Sequence, residues 1–121
     1  MNSETSGGTG ECGVFIKNRE TYHTEILPES MPDLAEVACR YFNVTTPSFE
    51  VRNHSRRCWG KYIIKTKTVA IYEPIRMGVV LHEVCHHIRH EESLRTGIKE
   101  QGHHDHRFKQ ILQEVYNLFD I

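Results

Sequence analysis

Val79-Val80-Leu81-His82-Glu83-Val84-Cys85-His86-His87-Ile88 is the run around which the chain is organised. It contains His-Glu-x-x-His. On a helix, side chains at i and i+4 lie one above the other, so His82 and His86 turn two imidazoles toward one metal ion. Glu83 falls beside that ion, where a carboxylate acts as general base toward water that the metal has acidified. A chain with 9 histidines yields roughly 0.07 such patterns by chance, so the five letters alone do not decide. The flanks do. Apart from His82, Glu83, His86 and His87, every residue from Val79 to Ile88 is uncharged and mostly apolar, as a helix buried behind a metal site requires.

The rest of the composition bounds what can surround that helix. A chain of 121 residues, 38% hydrophobic and 26% charged, suits one compact domain and is too apolar for a disordered segment. No apolar run reaches bilayer-spanning length and no signal-peptide pattern opens the chain, so a cytoplasmic protein without a membrane partner is expected. Cys12, Cys39, Cys58 and Cys85 form no Cys-x-x-Cys pair, which argues against a zinc ribbon or a disulfide framework and for free thiols. Cys39 and Cys85 fall at apolar helical positions and are expected in the core. Charge is unevenly distributed. Residues 1–50 hold Lys17, Arg19 and Arg40 against Glu4, Glu11, Glu20, Glu25, Glu29, Asp33, Glu36 and Glu50, whereas Val51 to Tyr72 holds Arg52, Arg56, Arg57, Lys61, Lys65 and Lys67 and no acid. Such a stretch either protects a sheet edge or meets an anion such as a DNA backbone.

The elements follow from local pattern. Residues 1–13 are rich in Gly, Ser and Thr and read as a flexible tail; a cysteine there, Cys12, is able to cap an open zinc position with a thiolate, although no flanking signature marks it. Residues 14–121 read as a single domain. Val14 to Leu27 alternates enough for two short strands, with His23 at the surface. Ser30 caps a helix reaching about Phe42, whose apolar face is Leu34, Val37, Ala38, Tyr41 and Phe42. Ser48 to Arg52 is a strand, and Cys58 to Lys65 with Thr68 to Tyr72 form a hairpin turning near Thr66-Lys67. An edge strand of that hairpin is suited to pairing with an extended peptide. The His-Glu-x-x-His helix runs from about Arg76 to Arg95 and ends at Thr96-Gly97. A last helix, Asp105 to Phe119, carries the stripe Phe108, Ile111, Leu112, Val115, Leu118 and Phe119.

A catalytic zinc takes three protein ligands and an open position. His90, Glu91 and Glu92 lie on the same helix as the pair and are carried away from the ion, and Arg89 stands where the extended His-Glu-x-x-His-x-x-Gly-x-x-His pattern needs glycine. His87, about 100° around the helix from His86, is expected at the surface or behind the ligands. The remaining source is His103-His104-Asp105-His106, beyond a turn, where any of the three histidines is able to fold back onto the pair.

Two further runs carry a family resemblance. His104-Asp105-His106-Arg107-Phe108 is similar to the His-Gly-x-x-Phe segment of SprT-like (Spartan-type) zinc metalloproteases, and Trp59-Gly60-Lys61-Tyr62 to their Trp-Gly-x-Tyr strand. The likeness spans roughly residues 32–119. It implies an α+β, zincin-like fold: an N-terminal helix packed on a small, mainly antiparallel sheet, the His-Glu-x-x-His helix, and a C-terminal helix. It also implies zinc (Zn2+) held by His82, His86 and His104, Glu83 as catalytic base, and peptide-bond hydrolysis, with DNA-associated proteins as one substrate class. Asp105 departs from the family's glycine and keeps His103 and His106 open as the third ligand. The family's C-terminal zinc ribbon has no counterpart among these residues. The alternative is a non-catalytic zinc-binding module that recognises protein or nucleic acid.

Overall fold

A computed structural model describes residues 13–121; the readings of the first twelve residues as a tail and of Cys12 as a zinc cap fall outside it. The chain forms a mixed α+β fold with a three-stranded sheet. In order come α1 (Arg19–Tyr22), a 3-10 turn (Pro28–Ser30), α2 (Met31–Tyr41), β1 (Ser48–Arg52), β2 (Gly60–Ile63), a second 3-10 turn (Ile64–Thr66), β3 (Thr68–Tyr72), α3 (Met77–Thr96) and α4 (His106–Leu118).

The sheet order is β1-β3-β2. β2 and β3 are an antiparallel hairpin, with Gly60 opposite Ile71 and Ile63 opposite Thr68. The turn between them is the 3-10 segment closed by Lys67 in the left-handed region at φ 51°. β1 pairs with β3 in parallel, from Ser48 opposite Thr68 to Arg52 opposite Tyr72. The sheet is therefore mixed, not mainly antiparallel. The reason is the connection: residues 53–59 arch across the end of β3 to reach its far edge, so β1 and β3 point the same way. That arch lies where β3 hands over to α3, and it carries Arg57 and Trp59 to the first turn of the helix.

α3 is the hub and packs against α1, α2, α4, β2 and β3. Its residues from Gly78 to Arg89 are all buried, charged ones included. Gly97 ends it with φ 76°, and its N–H donates to Ser93 O at 2.9 Å. Gly78 is required by a close approach, since a Cβ there would lie 2.1 Å from Cδ2 of Tyr22, whose ring covers the helix at that point.

Two expectations fail at the N-terminal side. The alternation in Val14 to Leu27 does not give two strands; its centre is the helical turn α1, started by Asn18, whose side chain accepts from Thr21 N–H at 3.1 Å, while Glu25 makes a single bridge to Arg76. Burial of Tyr22 against Gly78 overrides the period-two pattern. In α2 the buried face is Met31, Ala35, Ala38 and Cys39, and Val37 and Tyr41 are exposed. Small residues let α2 come close to α3, which decides the face more strongly than the larger side chains do. Ser30 stands at the cap position but its hydroxyl makes no capping bond, because the preceding 3-10 turn runs directly into the helix.

Among the described residues no helix is long and apolar enough to cross a membrane. Cys39, Cys58 and Cys85 are unbridged, and burial, followed by the nearby Glu91, pushes the Cys39 thiol up to about 12. In a Cys12→Ser background, a thiol reagent at pH 8 should label Cys58 in the native protein and reach Cys39 and Cys85 only on unfolding; three fast thiols would contradict this core. Gly78→Ala should lower stability, since overpacking costs about 1–3 kcal/mol and the helix-propensity gain is about 1 kcal/mol. A urea midpoint equal to or above wild type would show that Tyr22 moves aside freely.

Candidate metal centre

Three histidines converge beside α3. His82 and His86 come from consecutive turns of the helix, and His104 comes from the turn preceding α4. His104 Nε2 lies 3.2 Å from His82 Nε2 and 3.2 Å from His86 Nε2. All three ligand atoms fall within 4.8 Å of one another. Tetrahedral coordination at a Zn–N distance of about 2.0–2.1 Å separates two ligand nitrogens by about 3.3 Å. The two edges that meet at His104 thus match the spacing that a divalent ion of that size requires. Burial, then the neighbouring His82, His104 and His103, hold His86 down to about 3, so it presents a neutral ring, as a metal ligand must.

The ring planes are set by one aromatic floor. Phe108 is fully buried, stacks on His86 with centroids 4.3 Å apart, and lies 4.9 Å from His104 and 5.3 Å from His82. The sequence reading took it only as part of the core stripe and of the family segment.

The choice among His103, His104 and His106 follows from Asp105. Its carboxylate caps α4, accepting from Phe108 N–H at 2.8 Å and from Gln101 N–H at 2.9 Å. It also pairs with Arg89 of α3, Nη2 to Oδ2 3.0 Å, both side chains being 5% exposed. Burial alone would raise the Asp105 carboxyl, but Arg89 and the two backbone N–H donors outweigh it and bring it to about 2. Arg89 further donates to Lys99 O at 3.3 Å. With Asp105 pinned to α3, His104 just before it points at the pair. His103 is exposed and stacked on His104, and His106 is exposed beside Gln110. Asp105, the residue that left the choice open in the sequence, is what holds His104 at the pair.

The other candidates on α3 are engaged elsewhere. His90 faces Glu100 at 3.6 Å, Glu91 pairs with Lys67 at 2.7 Å, and Glu92 forms a two-point pair with Arg107. His87 is fully buried and not a surface residue. Its Nε2–H donates to the Thr45 carbonyl at 2.7 Å, which leaves Nδ1 to accept the Tyr62 hydroxyl at 2.8 Å. Burial, followed by Glu91 and Glu100, raises Tyr62 far above the ordinary range, so it stays a donor. Tyr62 is therefore a strut between β2 and α3 and is not available to an oxyanion in this arrangement. Arg89 and His87 share a readable signal: a polar side chain inside an otherwise apolar buried helix demands a partner.

Glu83 is 8% exposed and, with His82 and Val79, lines a cleft of about 280 Å³ together with Tyr22, Arg57, Cys58, Trp59 and Gly60. Gly60 permits this close approach: a Cβ there would lie 3.1 Å from Glu83 Cγ and 3.0 Å from both Val79 Cγ1 and Ile71 Cδ1, so those side chains would have to give way by a few tenths of an ångström. Of the basic stretch, Arg52 is tied to Glu50 and Tyr72 and Lys67 to Glu91. Arg56, Arg57, Lys61 and Lys65 are exposed.

No family model, curated protein or solved structure matches this chain.

The α3–α4 contacts carry a pH signature. Glu92 is drawn below the usual carboxylate value of 4.5 by its bonds to Arg107, against a smaller opposing effect of burial. A carboxyl lowered on folding adds stability that is complete above its unfolded value and lost as pH falls through its folded one. Glu92→Gln should therefore cost about 1 kcal/mol at pH 7, and the cost should shrink progressively as pH falls below 4.5. A penalty unchanged between pH 7 and pH 3 would show that the pair contributes packing alone.

Proposed function

We propose that the protein is a zinc-dependent metallopeptidase, a minimal zincin-like domain of the SprT-like kind, acting on protein or peptide substrates. The observation that carries the reading is the meeting of two imidazoles and a carboxylate from one buried helix with His104 from the turn before α4, whose Nε2 lies 3.2 Å from each of the other two, the carboxylate opening into the adjoining cleft. Zinc held by His82, His86 and His104 would supply Lewis acidity toward a carbonyl oxygen and toward water.

The chain's own residues do the rest. Glu83, low in the cleft and one residue from His82, accepts the proton of the attacking water and returns it to the departing amine. Phe108 and the Asp105–Arg89 pair keep the three imidazoles aimed at one point. β2 is the sheet edge nearest α3. Because Tyr72 N–H donates to Trp59 C=O at 3.0 Å, the antiparallel alternation turns the backbone groups of Gly60 and Tyr62 to the outer edge, where an extended peptide finds pairing partners beside Glu83. Arg56, Arg57, Lys61 and Lys65 are exposed and leave DNA-associated substrates as an extension of the reading, which a stimulation of cleavage by DNA that fades with salt would test.

The deciding experiment combines metal content with hydrolysis of an unfolded protein substrate. Wild type should bind one zinc per chain, His104→Ala should lose it, and His103→Ala and His106→Ala should keep it. Glu83→Gln should keep zinc and lose about 10²–10⁴-fold in rate. Zinc binding with no hydrolysis by wild type would leave a non-catalytic zinc module, and no stoichiometric metal would remove the reading.

A further inference from the structure

The cleft beside Glu83 has a chemical character that peptide-bond hydrolysis alone does not call for. Its outer wall is Trp59, 46% exposed although it is the one tryptophan of the chain. An aromatic ring left that open beside an arginine is a poor use of apolar surface unless something covers it. The Arg76 guanidinium lies 4.4 Å from the Trp59 ring centroid, and Arg57 lines the cleft itself. Among the described residues neither arginine has a carboxylate partner. Glu83 is the sole acidic residue on the cleft wall. His23 sets its ring edge-on to Trp59 at 6.3 Å. It is held below its usual value by burial, then by Arg76 and Arg19, which shows positive potential reaching this corner.

From this geometry we infer that the Arg57–Trp59–Arg76 corner is a substrate subsite for an acidic side chain, so that the protein selects peptides with Asp or Glu next to the bond presented to Glu83. The Trp59 ring covers the aliphatic stem, Arg57 on the cleft wall takes the carboxylate, and Arg76, stacked on Trp59, adds positive potential behind it. A cleft of about 280 Å³ holds one such side chain. Selection of a peptide over a nucleic acid follows from the surroundings. The cleft adjoins the outer edge of β2, which offers main-chain partners to a peptide, and Arg52 and Lys67, two of the six basic residues between Val51 and Tyr72, are already paired with Glu50 and Glu91. The inference rests on the peptidase reading only for where the scissile bond lies.

Trp59 makes the subsite observable without catalysis, since all tryptophan emission of the chain comes from it. Zinc-loaded protein is titrated with capped peptides acetyl-Gly-Glu-Gly-amide, its Gln and Lys counterparts, and a short oligodeoxythymidylate, while a matching set of longer quenched peptides is assayed for cleavage. The Glu peptide should change Trp59 emission saturably, with half-saturation at least about fivefold below that of the Gln peptide, and the Lys peptide should not saturate. Arg57→Ala should weaken the Glu peptide by about threefold, and Arg57→Glu should reverse the preference toward Lys. Equal responses to the three peptides, or a response to the oligonucleotide alone, overturn the subsite. Cleavage without charge preference and with silent Trp59 does the same while leaving the peptidase reading intact. A Glu-selective emission change with no cleavage of any peptide supports the subsite and removes the peptidase reading instead.

Discussion

The arrangement of the metal cup depends on the buried pair between Arg89 and Asp105. α3 supplies two imidazoles by its own periodicity, but the third arrives from a separate segment that has to be held at one position along the helix. Asp105 does this by joining three constraints in one carboxylate: it caps α4, closes the preceding turn through Gln101, and binds Arg89 across the helix interface. A buried charge pair is a costly way to gain stability alone, because desolvation offsets much of the attraction. Its use is geometric. Either member left without the other would be an uncompensated buried charge, so alternative registers of the 101–108 turn are strongly disfavoured.

Around that fixed point the protein places polar side chains inside an apolar helix with a partner for each role. His87 bridges the Thr45 carbonyl and the Tyr62 hydroxyl, which holds the edge strand against α3. Glu91 and Glu92 draw in Lys67 of the hairpin turn and Arg107 of α4. The helix is therefore tied to the sheet on one flank and to α4 on the other, and the cleft between Glu83 and Trp59 opens between these ties. Support on both sides fixes where the imidazoles and Glu83 stand relative to one another.

The residues of Trp59-Gly60-Lys61-Tyr62 and of the run from His104 to Phe108 have physical roles in these contacts. Gly60 is where the strand passes close to Glu83, Val79 and Ile71, Tyr62 is the strut to His87, and Phe108 is the floor beneath the imidazoles. Each residue has a steric or hydrogen-bonding reason for its identity, independent of any relative.

The sequence by itself determined the pairing of His82 with His86, the position of Glu83, and the limits of α3 and α4, because these depend on helical period, a glycine at the C-terminus and an aspartate cap, all of which act within a few residues. Tertiary structure decided which of three neighbouring histidines completes the cup, since that turns on Arg89 meeting Asp105, 16 residues apart. It also decided that α2 buries its small face, that β1 joins the sheet in parallel, and that Tyr22 forms a helical turn over Gly78 in place of a strand. Those outcomes follow from close packing and from the partners demanded by buried charges, and neither is encoded within a local window.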